Sequence, residues 1–523
     1  MNFLKRFPVY PVLFGMYPVL ALLATNIVEV DIPVILRPII LTTLFSIFIL
    51  IISRFIFGDM HKAALVTTIF LILFFTYGHV YQLVESIEIF GINIGRHRYL
   101  APVYAGIGAI AIGVVLLKVK NYVIATKAMN IVGGFLVVLP ILQILSFNLR
   151  IALGNSAISE LPGNIPSSDL QSPTELPDIY YIVLDTYTRA DALQREFNFD
   201  NSTFLNELKE LGFYVADCSR SNYSYTQATI AAALNMEYLP DLRDELEYLS
   251  LDMDDIWVLI KQSLVRRKLQ EVGYKTVAFD TGYEWSQIRD ADYYYGVGSN
   301  PFSLNAVTPF EALLLKGTAV LFLTDSQSLF FQEHFKSVNF PHAEFVQRQL
   351  FILDRLNEIP VIVHPTFTFA HILIPHVPYV FDPQGNIRED PGYYGGDLAG
   401  PMNEKYLLQG YMGEIQFINS RILEIVKDLL ENSHVPPIII IHGDHGLRDE
   451  NRLQILNAYF LPNAEYDAFY PNISPVNSFR VVFDTFFGTD YGLLVDESFM
   501  GDDTSHPIPE YSPDCWSNSG EKP

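Results

Sequence analysis

Hydrophobic positions fall along this chain in two regimes. Through the first 150 residues they run almost without interruption, in five apolar stretches at roughly 8–28, 33–53, 63–84, 99–117 and 128–149. Each approaches the length of about 20 residues that a helix needs to cross a bilayer. From Asp178 onward the apolar runs become short and strand-like: DIYYIVLD, YKTVAFD, TFTFAHI and PPIIIIHGD. Between them lie stretches of helical period, among them STFLNELKELGF, QRQLFILDRLNEI and YLLQGYMGEIQFINSRILEIVKDLLEN. Continuous apolar strands separated by helices predict a mostly parallel sheet covered on both faces. The expected fold is therefore an α-helical membrane anchor of five transmembrane helices, followed by an α/β domain with a mostly parallel central sheet.

The pattern also sets the expected boundaries. Residues 1–150 form the polytopic anchor, and 151–177, rich in Pro, Ser, Gly and Asn, form a linker. Residues 178–497 form the catalytic domain, and the polar ending 498–523 forms a loosely held tail. A cleaved leader would be one short apolar region followed by a soluble chain, and repeated long spans do not fit that description. No internal repeat is present.

Charge sharpens the division. Residues 1–150 hold 11 Lys/Arg against 5 Asp/Glu, and the remainder holds 23 against 53. Lys5 and Arg6 precede the first span, Arg54 and Lys62 flank the second connection, and Lys118, Lys120 and Lys127 crowd the fourth. The positive-inside rule makes those loops cytoplasmic, against which only Arg96 and Arg98 dissent. Five spans then put everything after residue 150 on the extracytoplasmic side of the cell membrane. A re-entrant PVYAGIGAIAIGVVLL stretch would reverse that topology. Asp31, Glu85 and Glu88 lie at the edges of spans, so no ion or proton path is indicated. The acidic ectodomain excludes nucleic acid as a partner. Cys218 and Cys515 can pair or stay free, and two cysteines do not make a disulfide framework.

In doubly covered parallel sheets, ligands gather beyond the carboxyl ends of the strands. DIYYIVLD places Asp185 at such an end, and PPIIIIHGD places Asp444 and His445 at another, with Gly443 and Gly446 freeing the backbone around the pair. Asp and His supply the oxygen and nitrogen ligands that zinc or manganese accept. The plainer reading is a turn with a capping carboxylate. A site with three protein ligands keeps a position open for a nucleophile, and SRSNYSYTQATIAAALNMEYL offers one where a polar turn enters an Ala-rich helix near Thr226. A hydroxyl there sits in positive potential, although Ser224 or Thr226 can equally serve as an N-cap.

The order Asp185, Thr226, Asp444-His445, together with DIYYIVLDTYTRAD, SNYSYTQATIAAALNM, IPHVPY, GDHG, LNAYFLP and SPVNSFR, resembles the alkaline phosphatase and sulfatase superfamily. It is most similar to the sulfatase-like membrane proteins that include lipoteichoic acid synthases and phosphoethanolamine transferases. The resemblance implies that Asp185, Thr226, Asp444 and His445 hold one divalent metal, manganese or zinc. It implies that Thr226 is the nucleophile, and that His376 of IPHVPY contacts the transferred group or assists the leaving group. Cys218 is followed by SRSN, without the proline of a formylglycine Cys-x-Pro-x-Arg site, so that sulfatase mechanism is not expected. PHVPY stands in place of a Ser-His-Gly-Pro stretch and two cysteines cannot supply several disulfides, which leaves the headgroup open.

The expected function is a membrane-bound phosphotransferase that moves phosphoglycerol or phosphoethanolamine from a membrane phospholipid donor to an envelope glycan or glycolipid acceptor, through a phospho-threonine. A sulfatase-like hydrolase of phosphate or sulfate esters and a non-catalytic envelope assembly protein are the alternatives. His371, within an apolar run, reads as a core histidine. His442 reads as either a partner of the site or a residue packed under the sheet. Arg189, Trp285 and Arg289 are open between substrate contact and structure.

Overall fold

Five apolar helices occupy the first part of the chain: α1 (Tyr10–Thr25), α2 (Leu36–Phe57), α3 (Met60–Val84), α4 (His97–Lys118) and α5 (Tyr122–Ile158). A computed structural model describes residues 7–158 except 86, 90, 91 and 94, then 175–248, 255–297, 307–324, 342–393 except 389, 402–500 except 465, and 507. Four stretches, Ile32–Phe57, Met60–Val84, His97–Lys118 and Tyr122–Ala152, are long and apolar enough to cross a membrane, and α1 is a shorter apolar helix. At 1.5 Å per residue the 16 residues of α1 rise about 24 Å, less than a hydrocarbon core of about 30 Å. The Gly- and Ala-rich stretch considered for a re-entrant turn lies in the unbroken 22-residue α4. Large apolar side chains such as Phe55 and Leu117 are more than 80% exposed, as lipid-facing residues are in the absence of lipid.

The chain divides into two units, Met1–Leu149 with Ser299–Glu344, and Arg150–Gly298 with Phe345–Pro523. The described residues 307–324, expected within the catalytic range 178–497, thus group with the apolar helices. The helix Pro309–Lys316 explains why: Phe310 is buried with Val19 and Leu23, and Leu314 packs on the same cluster. Helix α5 continues through the start of the expected linker to Ile158. Residues 159–174 and most of the expected tail lie outside the described residues.

In the second unit a seven-stranded sheet has the order β4-β9-β8-β3-β7-β5-β6, the hairpin Glu88–Ile89 and Ile92–Asn93 of the first unit being β1 and β2. Its strands are β3 (Ile179–Leu184), β4 (Tyr214–Val215), β5 (Lys275–Phe279), β6 (Tyr293–Tyr295), β7 (Thr366–Ile372), β8 (Ile438–Gly443) and β9 (Asn457–Phe460). Strands β8, β3, β7, β5 and β6 are parallel, and β9 runs antiparallel to both β8 and β4. Every residue of β3, β7 and β8 is buried. That burial on both faces is what continuous apolar runs rich in Ile, Val and aromatic residues require.

Register then places the chemistry. Val183 of β3 stands level with His371 of β7 and His442 of β8, and Leu184 stands level with Gly443. Asp185 and Asp444 are therefore the next residues along two neighbouring central strands, delivered together at the carboxyl edge.

One carboxyl in the core gives this unit a pH signature. Glu414, on the helix Glu404–Asn432, is fully buried; its Oε1 accepts the Phe381 N–H at 3.1 Å, and its Oε2 has no hydrogen-bond partner. Burial pushes its pKa well above the ordinary 4.5. A raised carboxyl contributes stability in full below the unfolded pKa and loses it as pH rises toward the folded one. Replacement Glu414→Gln is therefore expected to raise the thermal midpoint at pH 8 more than at pH 5, up to a limit of about 1.4 kcal/mol per pH unit. Thermal unfolding of both proteins across that range checks it; an equal shift at every pH contradicts it.

Candidate metal centre

Asp185, Asp444 and His445 are all buried, and each offers a ligand atom within 4.8 Å of the others. Asp444 is held by its turn: Oδ1 accepts the backbone N–H of Thr186 at 2.7 Å and of His445 at 2.8 Å. Its other oxygen, Oδ2, is buried without a hydrogen-bond partner and stands 3.5 Å from His445 Nε2. A buried carboxylate oxygen left bare is costly unless a cation or donor meets it, so the donor set fits a divalent ion. His445 Nδ1 lies 3.0 Å from the Gly446 carbonyl, which fixes the proton there and leaves the Nε2 lone pair toward the cluster.

Asp185 is oriented from two sides. Its Oδ1 accepts from the Thr186 hydroxyl at 2.9 Å, and its Oδ2 lies 3.2 Å from His371 Nε2. Burial pushes its carboxyl up, but His376, the His371 hydrogen bond and His445 outweigh burial and hold it below the usual carboxylate range. Thr186 makes its two contacts from a left-handed backbone, with φ of 64°. That conformation is strained for a β-branched residue and is typical of sites where geometry is held by surrounding contacts. The Tyr411 hydroxyl supports the same loop, donating to Thr186 O and bonding Thr188.

Thr226 is the first residue of the helix Thr226–Asn235, α6 here, as expected from the Ala-rich run. The N-cap is Tyr225, with no side-chain cap, so the Thr226 hydroxyl is not used as one. Its Oγ1 instead faces His445 Nε2 at 3.4 Å. The structure thus brings Asp185, Thr226, Asp444 and His445 together. His376 is half-buried with Nδ1 2.7 Å from Val377 O, and among the described contacts it reaches the cluster only through its electrostatic effect on Asp185.

Several residues left open now have places. His371 is more than a core histidine: it is buried against Trp285, with ring centroids 5.3 Å apart, and bonds Asp185. His442 packs under the sheet, its Nε2 2.7 Å from the Tyr181 hydroxyl and its Nδ1 2.7 Å from Gly443 O. Arg189 is engaged by both Asp191 oxygens and by Ser219 O, and Arg289 by Glu284 and Gln287. The glycines flanking the pair serve close approach and not an unusual backbone angle: a Cβ on Gly443 would stand 2.3 Å from Tyr187 O, and one on Gly446 2.2 Å from Asn451 O. Cys218 is disulfide-bonded.

Sequence reading missed Arg452. Its Nη2 is 3.3 Å from His445 Nε2, and its Nε donates to Ser224 O at 2.8 Å, two residues before Thr226. A guanidinium therefore stands beside His445 Nε2 and steadies the turn that presents the hydroxyl.

No family model matches the chain, and no curated protein matches its sequence. Solved structures do resemble it. The C-terminal periplasmic domain of EcEptC from Escherichia coli is 12% identical, with a TM-score of 0.40 over 62% of this chain and 85% of that one. The integral membrane protein lipooligosaccharide phosphoethanolamine transferase A from Neisseria meningitidis is 11% identical, with a TM-score of 0.35 over 92% and 95%. A 2-O glycosaminoglycan sulfatase, BT1596, is 10% identical, with a TM-score of 0.34 over 60% and 71%. Likenesses at these scores carry no functional conclusion.

Proposed function

We propose that this chain is a membrane-bound phosphotransferase of the sulfatase-like kind, which moves a phospholipid headgroup to a hydroxyl of an envelope glycan or glycolipid on the extracytoplasmic side. The observation that carries the proposal is Thr226 Oγ1 at the start of α6, 3.4 Å from His445 Nε2 and beside the buried Asp185, Asp444 and His445. The apolar helices of the same chain favour a lipid donor over a soluble ester.

Asp185, Thr226, Asp444 and His445 would hold one divalent ion, manganese or zinc, which when bound supplies a lowered hydroxyl pKa and charge for the phosphoryl oxygens. Thr226 Oγ gives up its proton to solvent and bonds to phosphorus as the bond from phosphorus to the diacylglycerol oxygen breaks. That oxygen takes up a proton, the role we assign to His376. The acceptor hydroxyl then gives a proton to His376 and bonds to phosphorus as the Oγ–P bond breaks, and Oγ regains a proton from solvent to restore Thr226. Arg452 and the N-terminal N–H groups of α6 are the chain's own positive groups beside the developing charge.

Two measurements follow. With headgroup-labelled phospholipid in nanodiscs and no acceptor, one equivalent of diacylglycerol is expected per chain, with the label kept on the protein. Continuous release of free labelled headgroup phosphate would instead establish hydrolysis. Arg452→Gln is expected to lower the transfer rate by about 10²-fold, as loss of one charge-stabilising donor does, while metal stoichiometry stays unchanged. An unchanged rate contradicts the placement of Arg452.

A further inference from the structure

A second site lies among the apolar helices. A cavity of about 670 Å3 is bounded by one face of α1 from Phe14 to Thr25, by α3 from Leu71 to Gln82, by Leu136 of α5, and by the helix Pro309–Lys316 through Leu313 and Leu314. Its volume is that of a small-molecule site. Its lining is graded. Phe14, Leu71, Phe75 and Leu136 are apolar, whereas Thr25, Thr76, His79 and Gln82 cluster toward the C-terminal ends of α1 and α3, where Thr318 joins them.

The wall that closes this cavity is fixed by backbone contact. Gly78 N–H donates to Gly317 O at 3.0 Å, and Ala319 N–H donates to Phe74 O at 2.8 Å. A Cβ on Gly78 would stand 1.9 Å from Lys316 O, so only glycine admits this approach. Glu311 closes a capping box with Thr308 and pairs with Arg37. A strap anchored this way against α3 is a built wall, formed by a segment that lies between β6 and the helix Ala343–Arg355 in sequence.

From this geometry we infer that the cavity is a binding site for one diacyl phospholipid of the surrounding bilayer, with one acyl chain, the glycerol and the headgroup in the cavity and the second chain left in the bilayer. An acyl chain lies against Phe14, Leu71, Phe75 and Leu136, and the glycerol and headgroup lie toward Thr25, His79, Gln82 and Thr318. The occupant must be an amphiphile, because an apolar end and a polar end share one cavity along apolar helices. Among amphiphiles, a bilayer lipid is what these faces meet by default. The site is independent of the transfer proposed above.

Photolabelling of the full-length protein in phospholipid nanodiscs tests it, with the diazirine either at the acyl terminus or in the headgroup. The acyl probe is expected to label the Phe14–Leu22 and Leu71–Phe75 stretches at least about fivefold more densely than outward positions such as Leu117, and the headgroup probe to label around His79 and Gln82. In Ala21→Trp with Leu314→Trp, cavity labelling should fall while outward labelling stays. Native mass spectrometry of the wild-type chain, which needs no variant, should retain one diacyl phospholipid. Even labelling of cavity and outward faces, labelling unchanged in the filled variant, or retention of an isoprenoid or a peptide instead would overturn the inference. Because Thr226→Ala leaves this site intact, loss of transfer and loss of lipid labelling are separable.

Discussion

Replacing Thr226 by alanine is expected to abolish covalent capture of the headgroup and to reduce transfer by at least about 10³-fold, as removal of a nucleophile does. The fold should tolerate the change. Among the described residues Thr226 caps no helix, and its hydroxyl makes one long contact, 3.4 Å to His445 Nε2. Loss of such a bond costs at most about 1 kcal/mol. Thr226→Ser, which keeps the hydroxyl, should recover most of the rate. Wild-type activity in Thr226→Ala would remove this residue from the chemistry and favour a non-catalytic assembly role.

Asp444 should separate metal binding from folding. In Asp444→Asn the side-chain oxygen still accepts from Thr186 N–H and His445 N–H, so the turn persists. The bare Oδ2 becomes an amide that repels a cation. Metal affinity is expected to fall by at least about 10²-fold, since even partners that merely orient ligands are worth 10- to 100-fold. Thermal stability of the metal-free protein should change little. Asp444→Ala should instead also lower the thermal midpoint, because two buried N–H groups lose their acceptor at a cost of about 1–3 kcal/mol each. Calorimetric titration with manganese and zinc, beside thermal unfolding with a chelator, measures both. Equal metal affinity in wild type and Asp444→Asn would contradict the assigned ligand set.

Much of this was legible in the order of residues, and what was not had physical reasons. The runs IYYIVL and IIIIHG announce buried parallel strands, and because neighbouring parallel strands end together, Asp185 and Asp444 meet. Thr226 is legible because Ala-rich periodicity starts at it. Arg452 is not legible: it reaches His445 only because the short helical turn Asp449–Asn451 reverses the chain. His371 sits in an apolar run, and burial alone does not distinguish a core histidine from one that holds a carboxylate. The strap from Thr308 to Thr318 looks like any amphipathic helix of an α/β domain. Its partners, Val19, Leu23 and Phe74, are more than two hundred residues away.

The most direct test is mass spectrometry of the full-length protein after incubation with membrane phospholipids and no acceptor. The account predicts a phosphoglycerol or phosphoethanolamine adduct on the peptide bearing Thr226, absent from Thr226→Ala. No adduct with any lipid tried, or an adduct on another residue, would contradict it.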